Sequence, residues 1–217
     1  GTGSTPVVEN AGGSGRSATT LAKTGLRCVF AESIRDSENV AGPMSSEGLT
    51  RSETPKFSAK LRDEGMQRIS DLFTAWHGRQ QGRIRVFPAA ALAETSSPEL
   101  LQAVRAFAEK HDLGYTIHLS QSLPEVDFMV RYHGARPPAF LDTQGILGPR
   151  LFAAHFRYAD DADIALLAEL DRAHERMSGP ATRCILQREY ERFGKLEYGG
   201  RAGLSVGQLS NLRNIGS

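Results

Sequence analysis

Two histidines and a glutamine stand where a parallel sheet would do chemistry. "YTIHLSQSLPE", residues 115–125, is an apolar strand-like run with His118 near its end, then Gln121, then at once a helix-start signal. "RLFAAHF", residues 150–156, is the next such run, with His155 near its end. In a parallel sheet the loops after the strands form the site. Neighbouring strands lie about 4.8 Å apart, so imidazoles at matching strand ends can converge on one point. Each histidine suits either a neutral metal ligand or an acid–base group working near pH 7. Taken singly, each reads as a strand-end residue bonded to a carbonyl. Two at matching places on successive strands favour a site.

Other candidates read as structure. His77, His111 and His133 lie near helix C-termini, where a cation is favoured, and His174 lies in a charged helix. The Gly-rich "NAGGSGRS" lacks the lysine and spacing of a phosphate loop and reads as a loop and helix start. The serines form no G-x-S-x-G elbow. Cys28 falls inside an apolar run and reads as core.

The elements that must position the histidines alternate. "TPVVEN" (5–10), "GLRCVFAE" (25–32), "RIRVFPAA" (83–90), "GYTIHLSQ" (114–121) and "RLFAAHF" (150–156) read as strands with both faces covered. Between them lie helical stripes: Ile69, Leu72, Phe73 and Trp76, then Leu100, Leu101, Val104, Phe107 and Ala108, with Gly114 as a stop. Ser122 and Glu125 form a capping-box pattern opening a helix that carries Val126, Met129 and Val130. Asp160 reads as the N-cap of "DADIALLAELDRAHERM". Such βα alternation implies parallel strands with right-handed crossovers, in a β/α barrel or an open doubly wound sheet. Residues 36–55 read as a long loop after the second strand. Past about residue 178 the pattern degrades, although "AGLSVG" could form a short strand.

Composition narrows the partners. The 217 residues carry 26 basic and 25 acidic side chains, with no basic stripe and interleaved aromatics, which argues against nucleic acid. No apolar run approaches the length of a membrane helix, and the N-terminus lacks signal-peptide features. Two cysteines outside any C-x-x-C pair fit a reducing compartment, so a cytoplasmic protein acting on a small molecule is expected.

From "YTIHLSQSLPE" through "GILGPRLFAAH" to "DDADIALLAE", and back through "STPVVENAGG" and "GLRCVFAE", residues 3–170 resemble the amidohydrolase superfamily. The resemblance is to its metal-dependent deaminase and chlorohydrolase branch. It implies a (β/α)₈ barrel with a divalent metal, zinc or iron, at the strand C-termini. An H-x-H on the first strand, a histidine on the fifth and an aspartate on the eighth would bind it. His118 matches the fifth-strand ligand and His155 the sixth-strand histidine that assists the metal or holds the water. "TPVVEN" would be the second strand. Gln121 stands where many members have a proton-shuttling Glu, and an amide is no carboxylate base. The chain has no H-x-H and no recognisable final aspartate, Asn211 being the nearest candidate.

The expected protein is thus an α/β chain of the (β/α)₈ type, incomplete, with about five βα units. Residues 1–170 would form the partial barrel and 171–217 a tail. Its expected work is metal-dependent hydrolysis of C–N bonds, other than peptide bonds, on a heterocycle or amidine. His118 and His155 would hold the metal, with Gln121 and His155 in the catalytic roles. One alternative is an inactive fragment whose open strand edges favour a homo-oligomer. Another is an open sheet binding a small anion.

Overall fold

A strand forms where each of the five apolar runs predicts one. A computed structural model describes residues 7–11, 13–39 and 54–173. The strands are β1 (Val7–Ala11), β2 (Cys28–Ile34), β3 (Ile84–Leu92), β4 (Tyr115–Leu119) and β5 (Leu151–His155). They lie side by side in chain order, all parallel. A doubly wound sheet reverses its strand order at a switch point; this one does not. The chain divides into two compact units, residues 1–166 and 167–217, and the five strands belong to the first. His174, "AGLSVG", the tail after residue 178 and most of the loop at 36–55 lie outside the described residues.

The helices α1 (Ser14–Leu21), α2 (Ala59–Trp76), α3 (Arg79–Gly82), α4 (Pro98–Lys110), α5 (Leu123–His133), α6 (Pro137–Thr143) and α7 (Asp161–Ala173) fill the crossovers. Ala18, Cys28, Phe30, Leu72, Ile84 and Val86 form one buried cluster, with Phe73 and Trp76 packed against it. The α4 stripe buries Leu100, Leu101, Val104 and Ala108. In α5 the expected face is partly wrong: Val130 is exposed, and Phe128 is buried beside Val126 and Met129. Helix α6 was not expected; its Pro137 and Pro138 occupy first-turn positions, where no N–H partner is needed. Asp160 does cap α7, accepting from the Asp163 N–H at 2.9 Å, and Asp163 accepts from the Asp160 N–H in return. No helix among the described residues is long and apolar enough to cross a membrane.

Gly114 has a different job from the expected helix stop. The left-handed turn after α4 falls to Asp112, at φ 53°. At Gly114 a Cβ would lie 2.7 Å from the Phe87 ring and 3.2 Å from the Arg150 carbonyl. The glycine lets the start of β4 press against its neighbours on both sides. Gly114→Ala should therefore destabilise by about 1–3 kcal/mol through overpacking. Urea unfolding measures this, and an unchanged midpoint would speak against the close approach.

Candidate functional site

The two histidine rings stack, with centroids 5.1 Å apart and planes 24° from parallel. Strand register alone would not bring this about. Leu119 pairs with His155 and His118 with Ala154. Register partners in a sheet share a face and successive residues alternate. In a regular strand His155 would therefore project on the face opposite His118. It does not, because His155 takes a left-handed φ of 72°. The Phe156 N–H then reaches back to the Ala154 carbonyl at 3.1 Å, forming a γ-turn centred on His155. The same N–H also reaches the Leu119 carbonyl at 2.9 Å, tying the turn to the end of β4.

A second irregularity orients His118. The β3–β4 register slips by one residue between Ala90 and Leu92, so Ala91 is the extra residue of a bulge. The Ala91 carbonyl lies 3.0 Å from His118 Nδ1. A carbonyl only accepts, so Nδ1 is the donor and the neutral ring turns its lone pair out at Nε2. This is the arrangement metal-binding histidines commonly use. His118 is half-buried and His155 exposed.

Gln121 follows in a turn built around Glu125. Ser120 is left-handed, at φ 48°. The Glu125 carboxyl accepts from the Ser120 N–H at 2.8 Å and the Gln121 N–H at 2.7 Å, while its own N–H donates to Ser122 Oγ. The capping pattern in the sequence thus also fixes the backbone after β4. The Ser120 carbonyl accepts from Arg157 and Tyr158, binding the β4 turn to the β5 turn. The half-buried Gln121 is placed through its backbone, next along the chain from this junction.

Two buried acids close by were not picked out by sequence reasoning as site residues. Glu125 is fully buried; burial, then the neighbouring Glu94, push its carboxyl up to about 8 against the pull of the 120–122 backbone hydrogen bonds. Glu94, in the 3₁₀ turn Ala93–Thr95 after β3, is 3% exposed, and burial pushes it up to about 7. A charged residue two positions past a strand end, inside the small-residue run "ALAETSS", was the available signal.

The remaining histidines are more embedded than expected. His77 Nδ1 accepts the Val86 N–H at 3.2 Å, and burial lowers its pKa. Burial also lowers that of His133, whose ring packs on Phe140. Among the described residues no three His, Cys, Asp or Glu side chains converge as a metal site. The two imidazoles are of the kind zinc takes, and the Ala91 contact orients His118 as in many metal-binding histidines.

The raised acids have a consequence for stability. Below pH 4.5 both folded and unfolded chains hold the Glu94 proton. As pH rises toward 7 the unfolded chain releases it first, so folding stability falls. Glu94→Gln should remove this loss. Its unfolding free energy relative to the unsubstituted chain should grow by about 2–3 kcal/mol between pH 5 and pH 8 in urea titrations. A pH-independent difference would contradict the burial argument.

No protein-family model matches the chain. A 5′-deoxyadenosine deaminase of Methanothermobacter thermautotrophicus is 36% identical over 149 residues, which are 69% of this chain and 30% of that protein. A zinc-bound adenosine deaminase from Xanthomonas campestris superposes with a TM-score of 0.60 at 24% identity, covering 77% of this chain and 34% of that one. A zinc complex of atrazine chlorohydrolase from Arthrobacter aurescens does so with 0.57 at 23% identity, covering 76% and 37%. The chain thus spans little more than a third, at most, of these proteins. The fold is that of a TIM barrel, of which five βα units are described. The sequence likeness to the deaminase, over 69% of the chain, is what the resemblance to the amidohydrolase superfamily leads one to expect, and the shared fold with the zinc proteins agrees with it.

Proposed function

We propose that the chain is the histidine-bearing part of a metal-dependent hydrolase that cleaves C–N or C–halogen bonds on a nitrogen heterocycle or amidine. The observation that carries this reading is the stacked pair of His118 and His155, with His118 Nδ1 tied to Ala91. Support also comes from the names of the similar proteins, which are deaminases and a chlorohydrolase, two of the structures holding zinc.

In this reading His118 and His155 would hold a divalent metal, zinc before iron, with the Ala91 contact leaving His118 Nε2 as that ring's donor. Bound zinc lowers the pKa of a water toward 7. His155, exposed at the strand end, would either assist the metal in this way or, off the metal, orient a water molecule and take its proton. Gln121 presents an amide that donates to and accepts from substrate or water, without holding a proton of its own. We place the protein in the cytoplasm, acting on a small molecule and engaging neither nucleic acid nor membrane. The near balance of 26 basic and 25 acidic side chains supports the choice of partner, and a buried Cys28 suits a reducing compartment.

Catalytic zinc usually takes three protein ligands, and the described residues offer two. The isolated chain should therefore hold zinc weakly, with a dissociation constant in the micromolar range or above. His118→Ala and His155→Ala should each abolish that binding, and His111→Ala should leave it intact. Equilibrium dialysis with elemental analysis decides the matter; retention by both site variants would remove the basis of the reading.

A further inference from the structure

The buried acids of the described residues have hydrogen-bonding or charged partners, with one exception. Glu32 takes the Gly13 N–H and faces Arg68. Asp36 takes the N–H and hydroxyl of Ser97. Glu125 holds the turn after β4, and Asp163 pairs with Arg136. Glu94 accepts no hydrogen bond from a described residue, although it is 3% exposed, and it lies near enough to Glu125 to help push that carboxyl up. Two hydroxyls near it in the fold, Ser96 Oγ and Ser120 Oγ, are buried without a partner. An unmet buried polar group is costly, and such groups are rare without a reason.

These three groups belong to the same end of the sheet, whereas Arg83 Nη1, also buried without a partner, lies just before β3. Glu94 and Ser96 sit in the turn after β3, and Ser120 ends β4. Leu92, two residues before Glu94, pairs with His118, and Ala91 holds the His118 ring. The unmet groups thus gather between the ends of β3 and β4, on the strands that carry and orient His118. The hydroxyls could be met by buried water, whereas a carboxyl facing another carboxyl asks for a ligand that both donates and accepts.

We propose that Glu94 recognises the substrate, its carboxyl pairing with the ring-nitrogen and exocyclic-amine edge of an amino-substituted nitrogen heterocycle. The proposal rests on the hydrolase reading above and adds to it the group that reads the substrate. That edge presents one acceptor, the ring nitrogen, and one donor, the amine N–H. A protonated carboxyl presents the complement, an O–H donor beside a carbonyl acceptor. Burial lifts Glu94 to about 7, so much of it keeps its proton at neutral pH. A site built this way rejects an analogue without the amine, because the buried acceptor is then left unmet.

Adenine and purine, which differ by the amine, are the probes. Their binding to the full chain is measured by titration calorimetry at pH 7, with and without zinc, beside the melting temperature. The unsubstituted chain should prefer adenine by about tenfold or more. Glu94→Gln, which keeps a donor and an acceptor, should hold adenine within about threefold. Glu94→Leu should lose the preference for adenine and yet melt about 3 °C or more higher, since it removes an unmet buried acid. A Glu94→Leu chain that still prefers adenine, or that melts lower or does not fold, overturns the proposal. So does an unsubstituted chain that binds neither probe. The hydrolase reading stands or falls separately, on zinc retention by the histidine variants.

Discussion

Alternation along a strand is the constraint on which the site depends. A regular β5 would put His155 on the wrong face, and a regular β3 would spend the Ala91 carbonyl on the ladder. Around the site the described strands lose regularity at the Ala91 bulge, at Ser120 and at His155–Phe156, each at the C-terminal end of a strand. Non-glycine residues at positive φ cost on the order of 1–3 kcal/mol each and persist only where the surroundings over-determine them. Here the surroundings are the shared hydrogen bonds of Phe156 with β4 and of Ser120 with the turn after β5. The two strand ends hold each other in conformations neither would keep alone.

Buried acids do the matching work between loops. Glu32 joins β2 to the turn before α1, Asp36 joins the segment after β2 to the start of α4, and Glu125 joins α5 to the end of β4. Each receives backbone N–H groups that the ladder no longer serves. Such bonds are worth about 0.5–1.5 kcal/mol each, and more where the acceptor is charged. The same end of the sheet that gives up regular pairing is thus the end stitched by carboxyl groups. Ser97 shows the economy of the arrangement. Its hydroxyl donates to Asp36 and accepts from Leu100, so one side chain caps α4 and anchors a loop.

The strands and their order were legible because runs such as "RIRVFPAA" and "YTIHL" are short, β-branched and covered on both faces. The helix starts at Ser122 and Asp160 were legible from cap residues, which act locally. The approach of His118 and His155 was readable as a strand-end coincidence, but its cause was not, because alternation predicts opposite faces and only a φ value reverses it. The bulge at Ala91 leaves no mark in a run of three alanines. Gly114 looked like a helix stop since close packing against Phe87 and Arg150 depends on tertiary distance, which spacing does not encode. Glu94 was passed over for a related reason: burial of a charge is a property of the assembled loops, and its neighbours "ALA" and "TSS" read as an ordinary connection.

The sequential strand order bears on how the chain assembles during synthesis. Every strand after β1 pairs with the strand made just before it, so each docking closes a loop of one crossover only. Loop-closure entropy grows slowly with length, and contacts of modest sequence separation favour fast folding. The sheet can grow at one edge as residues leave the ribosome, never waiting for a distant partner. With β1 as the other edge of the described sheet, the edge that grows is always the newest strand. For the finished five strands that edge is β5, whose Phe152 is half exposed, and the strand that carries His155 is the last of the five to find its place.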